Sequence, residues 1–192
     1  MPTVANIKKT MRKTGIPAKL IAQFEFPKPK GNQIGEALSL INQMDKLLTR
    51  EQCLAVMEEQ GCSKTEKFVA PFREFAQTHA AKTVEDKIEL MSELNASQSI
   101  TCRLNPNGTL SFYWGFRQDD SYRCICRKIN CLYKERGEQA NISSTFCGCC
   151  AGHVRYAYQL ALGVELRLKE IVSSPLDSGG KNHCEFLFEI VG

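Results

Sequence analysis

The sequence predicts an α+β fold in which an N-terminal helical layer packs on a C-terminal antiparallel sheet. Apolar residues follow a helical period through the first half, and near residue 98 the period changes to the alternation that is typical of strands. Helices come first and strands later, which favours α+β over a parallel α/β sheet. We therefore divide the chain into a helical segment, 1–97, and a sheet segment with one helix, 98–192, within one compact domain.

The first half contains the signals of several consecutive helices. Apolar residues lie at helical spacing in "IGEALSLINQMDKLL", where one stripe holds Ile34, Leu38, Ile41 and Leu48. Capping-box patterns then mark further helix starts, namely Thr49 with Gln52, Ser63 with Glu66, and Thr83 with Asp86. Pro71 lies within the second of these helices and predicts either a kink or a later start.

The second half shows the alternation of strands. The segments "SITCRL" and "TLSFYWGF" flank the turn "NPNG" and predict a hairpin, whose second strand places on one face Leu110, Phe112, Trp114 and Phe116. A further strand is predicted for "YRCICRKI", and a loop for the polar "YKERGEQANISST". A helix is predicted from about Cys149 to Leu162, with Gly163 as its stop. The last strands are "VELRLKEIV" and "CEFLFEIV", joined by a loop.

The composition is that of a globular protein and excludes several classes. Hydrophobic residues make up 43% and charged residues 24% of the chain, so we expect a folded core. A net charge of +4, without a long basic stretch interleaved with aromatics, does not favour a nucleic-acid partner. We expect no membrane span, because no run of about 18 apolar residues exists. No secretion signal is recognised in "MPTVANIKKTMRKTG", so we expect a cytoplasmic protein whose ten cysteines stay reduced.

Two Cys-x-Cys pairs form the main candidate site. Cys124 and Cys126 stand two places apart, and Cys147 and Cys149 repeat that spacing. Soft thiolate ligands suit zinc or another thiophilic metal, although structural zinc sites usually have two residues between the cysteines. We therefore hypothesise a metal site at these four residues. Simple burial of the four thiols is an equally weighted alternative.

The cysteines of "SSTFCGCCAGH" would also lie near the N-terminus of the predicted helix. Free N–H groups and the helix dipole there favour thiolate, so we expect lowered thiol pKa values. The candidate nucleophiles are Cys149 and Cys150. The candidate bases are His153 and Glu170, a carboxylate that interrupts the alternation of its strand. A helix-surface position for His153 and an exposed strand end for Glu170 are the alternatives.

Further residues are candidates for binding a ligand or cofactor. Trp114 would line a pocket on the face of the cysteines, or would belong to the sheet core. Gly152 would let a ligand or another backbone approach closely. Cys184 is a third candidate, with burial as the alternative. The remaining isolated cysteines are interpreted as buried side chains, and they are Cys53, Cys62, Cys102 and Cys131.

The stretch "CICRKI…TFCGCCAGHVRYAYQLALGVELRLKEIVSSPLDSGGKNHCEFLFEI" resembles a group of bacterial proteins that share a cysteine motif. It is also distantly similar to the 4-vinyl-reductase-like small-molecule-binding domain and to the L-2-amino-thiazoline-4-carboxylic acid hydrolase family. The positions that match the shared pattern are Cys124, Cys126, Cys147, Cys149, Gly152, Glu170, Gly180, Cys184 and Phe186. The vinyl-reductase-like pattern has a cysteine three places after the strand glutamate, where this chain has Ser173.

The resemblance implies a fold like that of the Golgi transport-particle subunits, and a homodimer, because such folds often pair. It also implies a small-molecule ligand. Our first hypothesis is a cytosolic, sensor-like domain that binds a small molecule or a metal ion through reduced cysteines. The alternatives are a small hydrolase or a thiol-redox enzyme, and a structural protein with buried cysteines.

Overall fold

A computed structural model describes residues 2–28, 31, 33–62, 64–115, 117–118, 120–126, 129–130 and 142–191. The helices of the first half are α1 (Val4–Lys13), α2 (Ala18–Ile21), α3 (Gln33–Leu47), α4 (Arg50–Glu58), α5 (Glu66–Thr78), α6 (Val84–Leu90) and α7 (Ser92–Gln98). The strands and helices that follow are β1 (Ile100–Leu104), β2 (Leu110–Trp114), β3 (Arg117–Gln118), β4 (Ser121–Tyr122), the 3-10 turn Ser144–Cys147, α8 (Gly148–Leu162), β5 (Glu165–Ser173), α9 (Pro175–Ser178) and β6 (Cys184–Val191). The fold is α+β, as predicted.

An antiparallel sheet with the strand order β1-β2-β6-β5 forms the second half. The predicted hairpin is confirmed, since Leu104 pairs with Leu110 across the β1–β2 turn. Strand β6 then inserts beside β2, so that Trp114 pairs with Cys184. Strands β3 and β4 form a separate ribbon. Phe116, which we assigned to the face of β2, lies outside the described residues.

Local capping explains where the helices begin. Thr49 and Thr83 form the predicted capping boxes with Gln52 and Asp86. The cap of α5 is Thr65, whose side chain accepts a hydrogen bond from the Phe68 N–H, rather than Ser63, which lies outside the described residues. Pro71 lies inside α5, which begins before it, so the predicted later start is wrong.

Two predictions in the second half need correction. The strand expected over "YRCICRKI" ends at Tyr122, so Cys124 and Cys126 follow strand β4 instead of lying within it. The loop between β5 and β6 contains the short helix α9, because Ser174 caps it and Pro175 occupies its first position. The predicted loop over 133–145 lies mostly outside the described residues. Helix α8 and its stop at Gly163, which has a φ of 71°, are confirmed.

Two hydrophobic cores meet along α8. The first lies among α1, α3 and α4 and includes Ile41, Met44 and Met57. The second lies between the sheet, α5 and α8 and includes Phe112 and Tyr158. No helix within the described ranges has the length and apolar character that a bilayer crossing requires.

Two glycines let α8 lie directly against the end of α4. A Cβ at position 152 would stand 2.0 Å from the carbonyl oxygen of Glu58, and one at position 148 would stand 2.6 Å from Met57 Cβ. Gly61 also lies close to α8, although less tightly, since its Cβ would lie 3.1 Å from the Gly152 carbonyl. Backbone therefore meets backbone at this crossing, which only residues without a side chain allow.

Side chains of α4 and α8 cover the open edge of β5. Glu58 accepts a hydrogen bond from the Leu168 N–H at 2.7 Å, and Gln159 accepts one from the Leu166 N–H at 2.7 Å. These donors would otherwise be unpaired on an edge strand, where they invite pairing with another chain. Arg155 holds the Glu58 carboxylate from the other side at 2.8 Å. The helical layer is thus fixed to the sheet by directed polar contacts.

We predict that Gly152→Ala lowers the free energy of unfolding by about 1 to 3 kcal/mol, because the new methyl group overpacks the contact with Glu58. Urea denaturation measures the change. Gly148→Ala should cost less, since its new methyl group would stand 2.6 Å from Met57 Cβ rather than 2.0 Å from a backbone oxygen. Alanine is the better helix former by about 1 kcal/mol, so a stabilised Gly152→Ala protein would contradict the close crossing.

Buried Lys87 donates a hydrogen bond to the Leu162 carbonyl at the end of α8, at 2.8 Å. We predict that Lys87→Met lowers the free energy of unfolding by about 1.5 to 3 kcal/mol, because this carbonyl loses a charged donor. The matched control is Lys82→Met at an exposed position, which should leave the urea midpoint unchanged. Equal midpoints for both variants would show that the contact contributes nothing.

Candidate functional site

Cysteines from separate chain segments converge at the start of α8. We call them the thiol cluster, and its members are Cys62, Cys124, Cys126, Cys147, Cys149, Cys150 and Cys184. Each interacts electrostatically with at least one other member. The structure therefore brings together the four cysteines of the two Cys-x-Cys pairs and adds three more.

The thiol cluster lies where the two hydrophobic cores meet. Cys124 and Cys149 belong to the first core, and Cys147 and Cys184 belong to the second. The close crossing of α4 and α8 creates this position, since Gly148 and Gly152 flank the cysteines of α8 in the sequence. A chemical change in the cluster would consequently alter the packing of both cores.

Cys62 differs from the rest of the cluster because it is exposed. The thiol of Cys149 donates a hydrogen bond to the Gln60 carbonyl oxygen at 3.2 Å. It also lies within hydrogen-bonding reach of the Cys62 sulfur. The interaction with Cys149 and, after it, nearby positive charges that include Lys64 lower the pKa of Cys62 to about 5. Cys62 is therefore a thiolate at neutral pH.

The cysteines of α8 show the opposite shift. Burial raises the pKa of Cys147. The hydrogen bond to Cys62, followed by burial, raises that of Cys149, and the hydrogen bond to Cys126, followed by burial, raises that of Cys150. Our expectation of lowered values at this helix start is wrong, because desolvation and neighbouring thiols outweigh the helix N-terminus. These groups are neutral thiols at pH 7.

Lys64 and His153 lie beside Cys62. The Lys64 ammonium donates a hydrogen bond to the Cys62 carbonyl at 2.9 Å and another to His153 Nδ1. Burial lowers the pKa of Lys64 to about 8, and burial together with the Lys64 charge lowers that of His153 to about 4. His153 is thus neutral at pH 7 and accepts at Nδ1, so that its proton is on Nε2.

Aromatic rings hold the His153 imidazole in place. It stacks on Trp114 with ring centroids 5.4 Å apart and an interplanar angle of 21°, and it contacts Phe68 at 4.9 Å. Trp114 is half-buried and reaches the site through this stacking. The predicted role of Trp114 in lining a ligand pocket stays a prediction.

An open cleft of about 320 Å³ gives solvent access to Cys62. Lys64, Tyr156 and Gly152 line it, together with the ion pairs of Arg155 with Glu58 and Glu59. The cleft is polar and carries charges of both signs. Gly152 thus lines a cleft on one side and contacts the α4 backbone on the other, as the sequence allowed.

Glu170 and Cys184 lie in different surroundings. Glu170 is exposed on β5, opposite Leu187, at a point where the register of the strand pair shifts. This shift explains why a carboxylate interrupts the alternation, and Glu170 takes no part in the described interactions of the thiol cluster. Cys184 is buried within the cluster, near Cys124 and Cys126, and burial raises its pKa to about 12.

The described residues do not form a metal centre in this arrangement. Within the described ranges, no three side chains of His, Cys, Asp or Glu are placed so that they could hold one metal ion. The thiols instead form hydrogen-bonded pairs, Cys62 with Cys149 and Cys126 with Cys150.

Sequence reasoning missed Cys62 and Lys64. We expected Cys62 to be a buried hydrophobe, but it is exposed because it follows the end of α4 at the mouth of the cleft. The one available signal was "GCSK", in which a glycine and a lysine flank a cysteine after a helix end. Cys53 and Cys102 are buried as expected. Cys131 lies outside the described residues.

Comparison with known proteins adds little at the level of sequence. The chain matches no protein-family model and no curated protein. Two solved structures of an H-NOX protein from S. oneidensis are similar to it. The protein in its Fe(II)NO ligation state has a TM-score of 0.34 and 11% identity, over 98% of each chain. A triple mutant in the Fe(II) state has a TM-score of 0.34 and 13% identity, over 98% of this chain and 95% of that chain.

Proposed function

We propose that this chain is a sensor-like domain that binds a small thiol-reactive molecule through the thiol cluster. Cys62 is the group that meets the molecule in the cleft. The observation that carries the proposal is the placement of one exposed cysteine at an open cleft, beside a cluster of more deeply buried cysteines. A purely structural role in the core accounts for Cys53 and Cys102, which are buried. It does not account for Cys62, which is exposed.

The dimensions and charges of the cleft restrict the ligand. A volume of about 320 Å³ is at the lower end of the range for small-molecule sites. A soft thiolate prefers soft or electrophilic partners over hard cations such as magnesium. Lys64 and Arg155 provide hydrogen-bond donors at the walls. We therefore expect a small, thiophilic ligand with at least one acceptor atom.

A sensor must change its structure when its ligand binds. The thiol cluster contributes side chains to both hydrophobic cores, so that a new bond at Cys62 or Cys149 would shift the contact between α4 and α8. Packed interiors respond to changes of a single methylene group. The proposal also places the chain in a reducing compartment, such as the cytoplasm, where free thiols persist.

A hydrolase with a thiol nucleophile has less support from this geometry. Its candidate nucleophiles, Cys149 and Cys150, have raised pKa values. Its candidate base His153 has a pKa of about 4, which makes it a weak proton acceptor at neutral pH. Zinc binding would require thiols that are now paired to move together around one ion.

We predict that iodoacetamide alkylates Cys62 at rates that differ by less than about 1.3-fold between pH 6 and pH 8, because a pKa of about 5 leaves it ionised at both values. A thiol of ordinary pKa would gain about 75-fold over this range. Peptide mass spectrometry of timed samples identifies the labelled residue. Cys149→Ala removes the hydrogen bond from Cys149 and should slow the alkylation of Cys62 at pH 6.

The matched control is Cys102→Ala, which removes a buried thiol that lies outside the thiol cluster. Alkylation of Cys62 at pH 6 should be unchanged in this variant. Slow and uniform labelling of all thiols at pH 6 would contradict the proposal. Elemental analysis of protein purified without oxygen gives a second check. One zinc ion per chain would favour a metal site over the proposed small-molecule site.

A further inference from the structure

We propose that Cys62 and Cys149 form a reaction centre for hydroperoxides, in which Cys62 reduces the peroxide and Cys149 then closes a disulfide with it. This inference rests on the proposed function and names its substrate class. Three features support it: the Cys149 sulfur lies 3.2 Å from the carbonyl oxygen of Gln60, two residues before Cys62; the open cleft exposes Cys62 while Cys149 is buried; and the backbone at Gly61 closely approaches the helix that carries Cys149.

The geometry allows the disulfide to close without a large movement. Cys149 already hydrogen bonds with Cys62, and its sulfur lies 3.2 Å from the carbonyl oxygen of Gln60. A Cβ on Gly61 would lie 3.1 Å from the Gly152 carbonyl carbon and 3.2 Å from the His153 nitrogen. The backbone before Cys62 therefore touches the helix that carries Cys149, and disulfides need short separations of this kind.

The two sulfurs differ in the way that a two-step oxidation requires. Cys62 is exposed at the cleft, whereas Cys149 is buried behind it. Cysteines that react with peroxide are accessible thiolates, and they are commonly placed next to a second thiol that resolves the oxidised sulfur. A peroxide can thus reach the first sulfur of this pair. Its oxidation to a neutral sulfenic acid removes the effects of Cys62, its hydrogen bond and then its charge, that raise the pKa of Cys149 in addition to burial, so Cys149 becomes a better nucleophile for the second step.

In the first step, the Cys62 thiolate attacks the terminal oxygen of the hydroperoxide. A sulfur–oxygen bond forms, the oxygen–oxygen bond breaks, and its electron pair leaves with the alkoxide. The Lys64 ammonium donates a proton to the alkoxide and regains one from water. Lys64 is suitable because its Nζ hydrogen bonds to the Cys62 carbonyl at 2.9 Å and burial lowers its pKa to about 8.

In the second step, the Cys149 sulfur attacks the sulfenic sulfur of Cys62. A sulfur–sulfur bond forms, the sulfur–oxygen bond breaks, and the released hydroxide leaves as water with the proton of Cys149. The sum is the oxidation of two thiols and the reduction of one hydroperoxide to an alcohol and water. An external dithiol returns the pair to the reduced state by thiol–disulfide exchange.

Cys150 provides the comparison that tests the pairing. It is adjacent to Cys149 on α8, but it hydrogen bonds with Cys126 rather than with Cys62. If any nearby thiol could form the disulfide with the oxidised Cys62, Cys150 could take the place of Cys149. The geometry instead assigns the resolving role to Cys149.

The test treats the reduced full-length chain with one equivalent of hydrogen peroxide, blocks the remaining thiols, and maps the peptides by mass spectrometry. We expect a peptide pair joined by a Cys62–Cys149 disulfide, which dithiothreitol separates. Cys150→Ser should keep this linked pair. Cys149→Ser should lose it and should leave Cys62 as a sulfenic acid that dimedone traps. Circular dichroism checks that each variant is folded, and the wild-type map by itself decides the pairing.

Two results would overturn the inference. One is a wild-type protein in which Cys62 is oxidised to the sulfinic acid without any linked peptide. The other is a linked peptide that joins Cys62 to a cysteine other than Cys149. If Cys62 is nevertheless alkylated quickly at pH 6, the proposed function stands and only the peroxide reaction fails. If Cys62 is neither alkylated at pH 6 nor oxidised, both proposals fail together.

Discussion

The contact between the backbones of α4 and α8 is the constraint on which the rest of the structure depends. Gly152 and Gly148 have no side chains, so the start of α8 lies directly on the last turn of α4. That crossing places Glu58 against the edge of β5 and carries the chain segment after α4 across the cysteines of α8. A larger residue at position 152 would separate the two helices and would move Cys62 away from Cys149.

The same crossing decides the ionisation of the thiols. A helix N-terminus favours thiolate, but burial opposes any charge in an apolar interior, and for the α8 cysteines burial and hydrogen bonding to other thiols prevail. The pKa of Cys62 is lowered first by the interaction with the Cys149 thiol and then by nearby positive charges that include Lys64, and these effects outweigh the cost of its partial burial. The sulfur with the lowered pKa is therefore the one outside the helix.

The polar groups around the site have mainly structural roles. Buried Glu58 pairs with half-buried Arg155 and also accepts a hydrogen bond from the Leu168 N–H. Buried Thr145 donates to Asp45 and accepts from Arg50, both of which are exposed, with contacts of 2.6 Å to each. Buried polar groups such as Glu58 and Thr145 stabilise a fold only when each is paired. They hold the loop, the helix and the sheet in fixed relative positions, so the chemistry of the cleft is carried by Cys62 and Lys64.

Periodicity and capping residues were enough to predict the helices that Thr49 and Thr83 begin, the β1–β2 hairpin, the last two strands, and α8 with its end at Gly163. Those features depend on contacts between residues close together in the chain, and the sequence shows such contacts directly. The exposure of Cys62, the raised pKa values of the α8 thiols and the pairing of Cys62 with Cys149 depend on segments far apart in the chain. Local sequence patterns do not show which remote segments will come into contact. The burial of these residues and the distances between them are set only when the helices pack.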